Sequence, residues 1–128
     1  MTAEILLVDD NAIQAATRKA ILSLPGRTIA VAGGAVQALE MLEDEQLLRS
    51  LNLIITDHWM PGMNGPQFVA LLRLRLPTLP VLVLSGFPDA EAEYAGLDVI
   101  FRLKPLAPEQ LIALVQTLID DEPMSRTA

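Results

Sequence analysis

Residues 51–65 read Leu51-Asn52-Leu53-Ile54-Ile55-Thr56-Asp57-His58-Trp59-Met60-Pro61-Gly62-Met63-Asn64-Gly65. Leu51 to Thr56 has strand length and is mostly apolar, and it ends at the carboxylate of Asp57. Strands buried on both faces of a parallel sheet have this composition, because helices cover each face. His58 to Asn64 carries Pro61, Gly62 and Asn64, which is turn chemistry. Pro66 then suits the first turn of a helix, where its missing N–H leaves no bond unmade. The unit is strand, acid, turn, helix.

The same unit recurs on either side. Toward the N-terminus, Ile5-Leu6-Leu7-Val8 is a first strand ending at Asp9-Asp10. A helix is predicted from about Asn11 to Leu24, stopped by Pro25-Gly26. Thr28 to Ala32 reads as a second strand and Gly33-Gly34 as its turn. One helix follows over about 35–48, with Leu39 and Leu42 on its inner face. Toward the C-terminus, a helix is predicted over about 66–76 and a fourth strand from Pro80 to Leu84, ending at Ser85-Gly86. A polar segment of one or two helical turns follows from Asp89 to Ala95. Val99 to Leu103 is the fifth strand, followed by Lys104-Pro105 and a last helix over about 108–119. Five such units give an α/β class: a single doubly wound (βα)5 domain, a five-stranded parallel sheet with helices on both faces, set there by right-handed crossovers. The domain is read over residues 1–128, with a core of about 4–120 and a polar tail over 121–128.

Composition narrows the function. At 128 residues the chain is the size of one domain, and 52% hydrophobic against 20% charged residues suffices for a core without cross-links. The absence of cysteine removes disulfides, thiolate metal sites and a Cys nucleophile. Nine Lys and Arg against sixteen Asp and Glu leave a net charge of -7. Nucleic-acid binding needs a cationic stripe, so no direct contact with nucleic acid is expected. The apolar runs fall far short of the ~20 residues of a membrane span. Met1-Thr2-Ala3-Glu4 lacks a basic start and an apolar leader, so a cytoplasmic domain is expected.

In an open parallel sheet, ligands bind beyond the carboxyl ends of the strands. Strand one ends in Asp9 and Asp10, strand three in Asp57, strand four in Ser85 and strand five in Lys104. Three carboxylates at one rim repel, so their ionised state needs a cation. Oxygen donors without His or Cys favour Mg²⁺. A carboxylate can also attack phosphorus and form an acyl phosphate. Positioning and charge neutralisation supply most of such a transfer. Lys104 suits the phosphoryl oxygens as a point charge, and Ser85 as a hydroxyl donor.

Four stretches in order, Leu7-Val8-Asp9-Asp10-Asn11, Asp57 to Gly65, Leu84-Ser85-Gly86 and Lys104-Pro105, resemble the receiver domains of two-component signalling, over about residues 4–120. The resemblance implies a flavodoxin-like fold with Asp57 as phosphoacceptor. It implies Asp9, Asp10, Asp57 and the backbone carbonyl of Trp59 as Mg²⁺ ligands, and Ser85 and Lys104 as phosphoryl contacts. Ser85 and Phe101 fall at the switch positions. The implied partners are a histidine kinase or phosphotransfer protein as donor and a downstream protein target. The chain would catalyse its own phosphorylation and dephosphorylation. The Lys104–Pro105 bond is often cis in this family. The segment from Ser85 to Lys104 is shorter than is common there, so the fourth helix is expected to be short, tilted or partly unwound.

Several residues keep a second reading. One of Asp9-Asp10 can serve as a helix N-cap, and Ser85 as a turn residue ahead of Gly86. His58, the single histidine, reads as a loop residue beside the site rather than a relay or metal ligand. Trp59, the single tryptophan, either shields the acceptor from water, which would slow dephosphorylation, or covers apolar surface. Met60 and Met63 are expected to pack. Apolar residues at 111, 112, 114, 115, 118 and 119 form a stripe wider than one sheet face requires, which points to a partner or weak homodimer surface. Three functions compete. The first is a phosphorylatable switch, the second a receiver-like interaction module that takes no phosphate. The third is an enzyme or flavin site on a similar fold, which would want an acid in place of Trp59 or a phosphate-cradling loop in place of Asp9-Asp10. The complete set of acids, hydroxyl and lysine favours the first.

Overall fold

Strands that can be covered on both faces condense into one parallel sheet. The computed structural model describes residues 1–23 and 26–121. Leu24 and Pro25, expected to end the first helix, and the tail over 122–128 lie outside the described residues. The strands are β1 (Ile5–Val8), β2 (Ile29–Ala32), β3 (Leu53–Asp57), β4 (Val81–Ser85) and β5 (Ile100–Leu103). All pairs are parallel, in the order β2-β1-β3-β4-β5. The helices are α1 (Ala12–Ser23), α2 (Ala35–Met41), α3 (Glu45–Ser50), α4 (Gly65–Arg75) and α5 (Pro108–Gln116), the last running into a π turn over Thr117–Asp121. The expected five-stranded sheet is present. After β4 the chain forms a 3-10 segment over Pro88–Tyr94 in place of an α-helix, in keeping with the short, unwound element the sequence implies.

Side-chain alternation along the strands divides the core into two layers. Ile5, Leu7, Leu53, Ile55, Leu82 and Leu84 face α1 and α5, where Leu22, Leu111, Val115 and Ile119 meet them. Leu6, Val8, Ile54, Val81 and Val83 face the other way, onto Ala35, Ala38, Leu47, Phe68, Val69 and Leu72 of α2, α3 and α4. Burying each large aliphatic side chain contributes about 1.5–3 kcal/mol, so the two layers together fix which face each strand residue takes. Met60 is buried and Met63 packs against the second layer, as expected.

One expectation is corrected. The helix predicted over 35–48 is broken into α2 and α3. The Asp44 carboxylate accepts hydrogen bonds from the N–H groups of Gln46 (2.9 Å) and Leu47 (3.3 Å), capping α3. The Leu47 N–H foremost holds the Asp44 carboxyl below its usual range. The apolar stripe of the last helix meets the first layer of the core. Leu111, Val115 and Ile119 are buried, and Ile112, Leu114 and Leu118 are partly buried against the same layer.

At the edge of the sheet away from the strand C-termini, Arg73 of α4 binds four backbone carbonyls. Its guanidinium donates to Leu76 (2.9 Å), Leu79 (2.7 Å), Leu97 (2.8 Å) and Asp98 (2.7 Å). One side chain thus ties the end of α4 to the entries of β4 and β5. Asp98 sits at φ 56, the left-handed region that only a minority of non-glycine residues occupy.

Candidate functional site

The strand order reverses between β1 and β3, where an open α/β sheet leaves its crevice. Val8 pairs with Thr56, so Asp9 and Asp57 follow side by side. Both are buried, at 3% and 4% exposure, whereas Asp10 is exposed. One carboxylate oxygen from each of Asp9, Asp10 and Asp57 can be chosen so that all lie within 4.8 Å of one another. Lys104 approaches from the end of β5, its Nζ 2.8 Å from Asp57 Oδ1 and 3.4 Å from Gln14 Oε1. The Lys104 N–H donates to the Ser85 carbonyl at 2.8 Å, and the Lys104–Pro105 bond is cis.

The helix cap that Asp9 or Asp10 was free to supply is provided by Asn11. Its Oδ1 accepts from the N–H groups of Ile13 and Gln14, both at 3.0 Å. Asp9 Oδ1 in turn accepts the Asn11 N–H at 2.8 Å. With the cap taken, Asp9 and Asp10 are left to the rim. Burial first, and then the adjoining Asp57 carboxyl, push the Asp9 carboxyl up to about 7, against opposing pulls from the Asn11 N–H and Arg18.

Arg18 is a site residue that the motifs do not reveal. Its Nη1 lies 2.8 Å from Asp9 Oδ2 and 3.3 Å from Asp57 Oδ1. The signal was helical spacing: positions 14 and 18 fall one turn apart on α1, and both reach the rim. Asp9 and Asp57 share the alternation of the residues facing α1, which is why that helix can reach them.

The remaining candidates are placed differently. Ser85 is buried at the rim, but its hydroxyl accepts from Phe87 N–H (2.9 Å) and donates to the Phe87 carbonyl (3.3 Å), closing its own turn. Trp59 is 67% exposed, its side chain largely in solvent. Phe101 is buried against Tyr94, ring centroids 6.1 Å apart. Tyr94 links this pair back to the loop after β3, its hydroxyl 2.7 Å from Nδ1 of His58. Burial raises the Tyr94 hydroxyl, keeping it protonated. The contact passes over Gly65, where a Cβ would overlap the Tyr94 hydroxyl and crowd the His58 carbonyl at 3.0 Å. His58 is therefore a structural tie beside the site.

The family model of the response regulator receiver domain matches residues 5–116. The chain belongs to this family. Relatives of the receiver domain include response regulator MprA of Mycobacterium ulcerans, 31% identical over 93% of this chain and 51% of that protein. Response regulator protein FleR of Pseudomonas aeruginosa is 39% identical over 90% of this chain and 24% of its own length. The chain thus spans about half the length of the first of these relatives and about a quarter of the second. Among solved structures, a receiver domain of a signal transduction histidine kinase from Syntrophus aciditrophicus is 27% identical, covering 94% of this chain and 92% of that one, with a TM-score of 0.81. A CheY-like receiver from Methanospirillum hungatei shares the fold at a TM-score of 0.84 and 22% identity, covering 98% and 99% of the two chains. Among the described residues of the receiver domain, no helix is long and apolar enough to cross a membrane.

Proposed function

We propose that Asp57 accepts a phosphoryl group from the phosphohistidine of a histidine kinase or phosphotransfer protein, and that the acyl phosphate alters a surface read by a downstream protein. The observation that carries this is the buried Asp57 carboxylate, 2.8 Å from Lys104 and clustered with Asp9 and Asp10. An Asp57 oxygen forms the new P–O bond as the P–N bond to the donor imidazole breaks, and the imidazole departs with its electron pair. Lys104 faces the oxygen at which negative charge must be balanced. The Ser85 hydroxyl, on leaving its turn with Phe87, supplies a hydrogen bond to a phosphoryl oxygen.

The donor set fits a hard divalent cation, because the clustered ligands are all carboxylate oxygens. Asp9, Asp10, Asp57 and the Trp59 carbonyl would hold Mg²⁺. Bound there, Mg²⁺ supplies charge neutralisation for the phosphoryl oxygens. The switch itself runs through Phe101 and Tyr94, which join β5 to the acceptor loop through His58. A phosphoryl contact at Ser85 biases two arrangements of that layer.

The test is incubation with Mg²⁺ and an acyl-phosphate donor, followed by intact mass. The expected result is one added phosphoryl group, absent without Mg²⁺ and absent in Asp57→Asn. A chain that stays unmodified, or a label that persists in Asp57→Asn, overturns the assignment.

A further inference from the structure

The chemistry above gives Arg18 no part, yet its guanidinium stands between two of the proposed ligands. A single nitrogen, Nη1, bridges Asp9 Oδ2 and Asp57 Oδ1. The other guanidinium nitrogens make no hydrogen bond among the described residues, so the carboxylates alone hold the head group. The rim sets three carboxyl groups, of Asp9, Asp10 and Asp57, against two cations, Arg18 and Lys104. A cation seated on Asp9 and Asp57 and a guanidinium on the same two side chains repel each other at short range, where screening is weak. Room to leave exists. Arg18 borders a cavity of about 390 Å³ beside Ile13, Gln14, Ile21, Lys104 and Leu106. Its side chain is already 16% exposed.

We propose that Arg18 is a built-in counter-ion that occupies the acidic pocket before a divalent cation arrives and must swing out to admit it. It thereby raises the Mg²⁺ concentration at which this receiver domain becomes competent. The inference rests on the reading of the rim as a Mg²⁺ site, and concerns what this chain adds to that site. Arg18 is a positioning residue in this scheme, because it acts through the acids rather than on the phosphoryl group.

The experiment compares wild type with Arg18→Met, which keeps the aliphatic stem, and Arg18→Gln, which keeps a hydrogen-bonding head without charge. Each is titrated with MgCl₂ at constant ionic strength by isothermal calorimetry, and melted with and without saturating Mg²⁺. The expected result is a Kd for Mg²⁺ lowered on the order of tenfold in both variants. Both variants should also melt below wild type without the ion and level with it when Mg²⁺ is saturating. A Kd unchanged or raised in both variants overturns the proposal. So does a melting deficit that persists at saturating Mg²⁺, because a merely structural arginine costs the same in both states. No saturable Mg²⁺ effect in any of the three proteins overturns the metal-site reading as well. Saturable binding of equal affinity overturns the role of Arg18 alone.

Discussion

Replacing Arg73 with Met removes the clamp at the edge of the sheet opposite the acids. The guanidinium holds the carbonyls of Leu76, Leu79, Leu97 and Asp98 at 2.7–2.9 Å. Hydrogen bonds to a charged group contribute about 1.5–3 kcal/mol each. The four share one desolvated cation, and the Asp98 carbonyl lies where water can replace the lost donor, so they do not add. Burial lowers the pKa of Arg73, which marks that desolvation. The expected loss is ~3–5 kcal/mol, about the worth of two such bonds once sharing and rehydration are allowed for. For a domain of this size that corresponds to about 10–20 °C in Tm. Urea unfolding followed by circular dichroism measures it, with the midpoint falling and the slope unchanged. Arg73→Lys should recover less than half, because an ammonium cannot span four acceptors in a plane. A loss below about 1 kcal/mol, a single ordinary hydrogen bond, would refute the clamp and show that the carbonyls rehydrate freely.

Gly65→Ala should lower Tm, and adding Tyr94→Phe should restore only part of the loss, because the His58 backbone still crowds the new methyl; full restoration would place the whole conflict at the hydroxyl. In metal-free buffer, the stability advantage of wild type over Asp9→Asn should shrink as pH rises. The folded Asp9 carboxyl holds its proton up to about 7 against an ordinary value of 3.8, so its contribution is full below about 4 and lost by about 7. Thermal melts across that window check the sign, and a difference that grows with pH would contradict it.

The strands were legible because most residues in them are Val, Ile, Leu or Ala, which leaves few alternatives to a doubly covered sheet. The acids, Ser85 and Lys104 were legible because each ends a strand, and strand ends meet at one rim. What failed has a local cause in each instance. Leu39 and Leu42 keep helical spacing up to the break, and only the competing cap at Asp44 ends the helix there. The acids after β1 could have capped α1, and nothing in the one-dimensional pattern says that Asn11 does so instead. Arg18 escaped notice because its partners lie nine and thirty-nine residues away, on strands whose relation to α1 exists only in the fold. Trp59 could not be placed from sequence, since shielding and packing both use an aromatic ring and the structure leaves it largely in solvent.

The two-layer core also dictates where this chain can change length. One residue added or lost inside β3 would turn Asp57 toward the opposite helices and exchange both of the strand's apolar sets at once. No local repair restores that phase. The connector between β4 and β5 has no alternation to preserve; it is held only at points, by Tyr94 on His58 and by the Leu97 and Asp98 carbonyls on Arg73. The compressed 3-10 turn therefore lies where shortening is tolerated, and the strands that present the acids are where it is not.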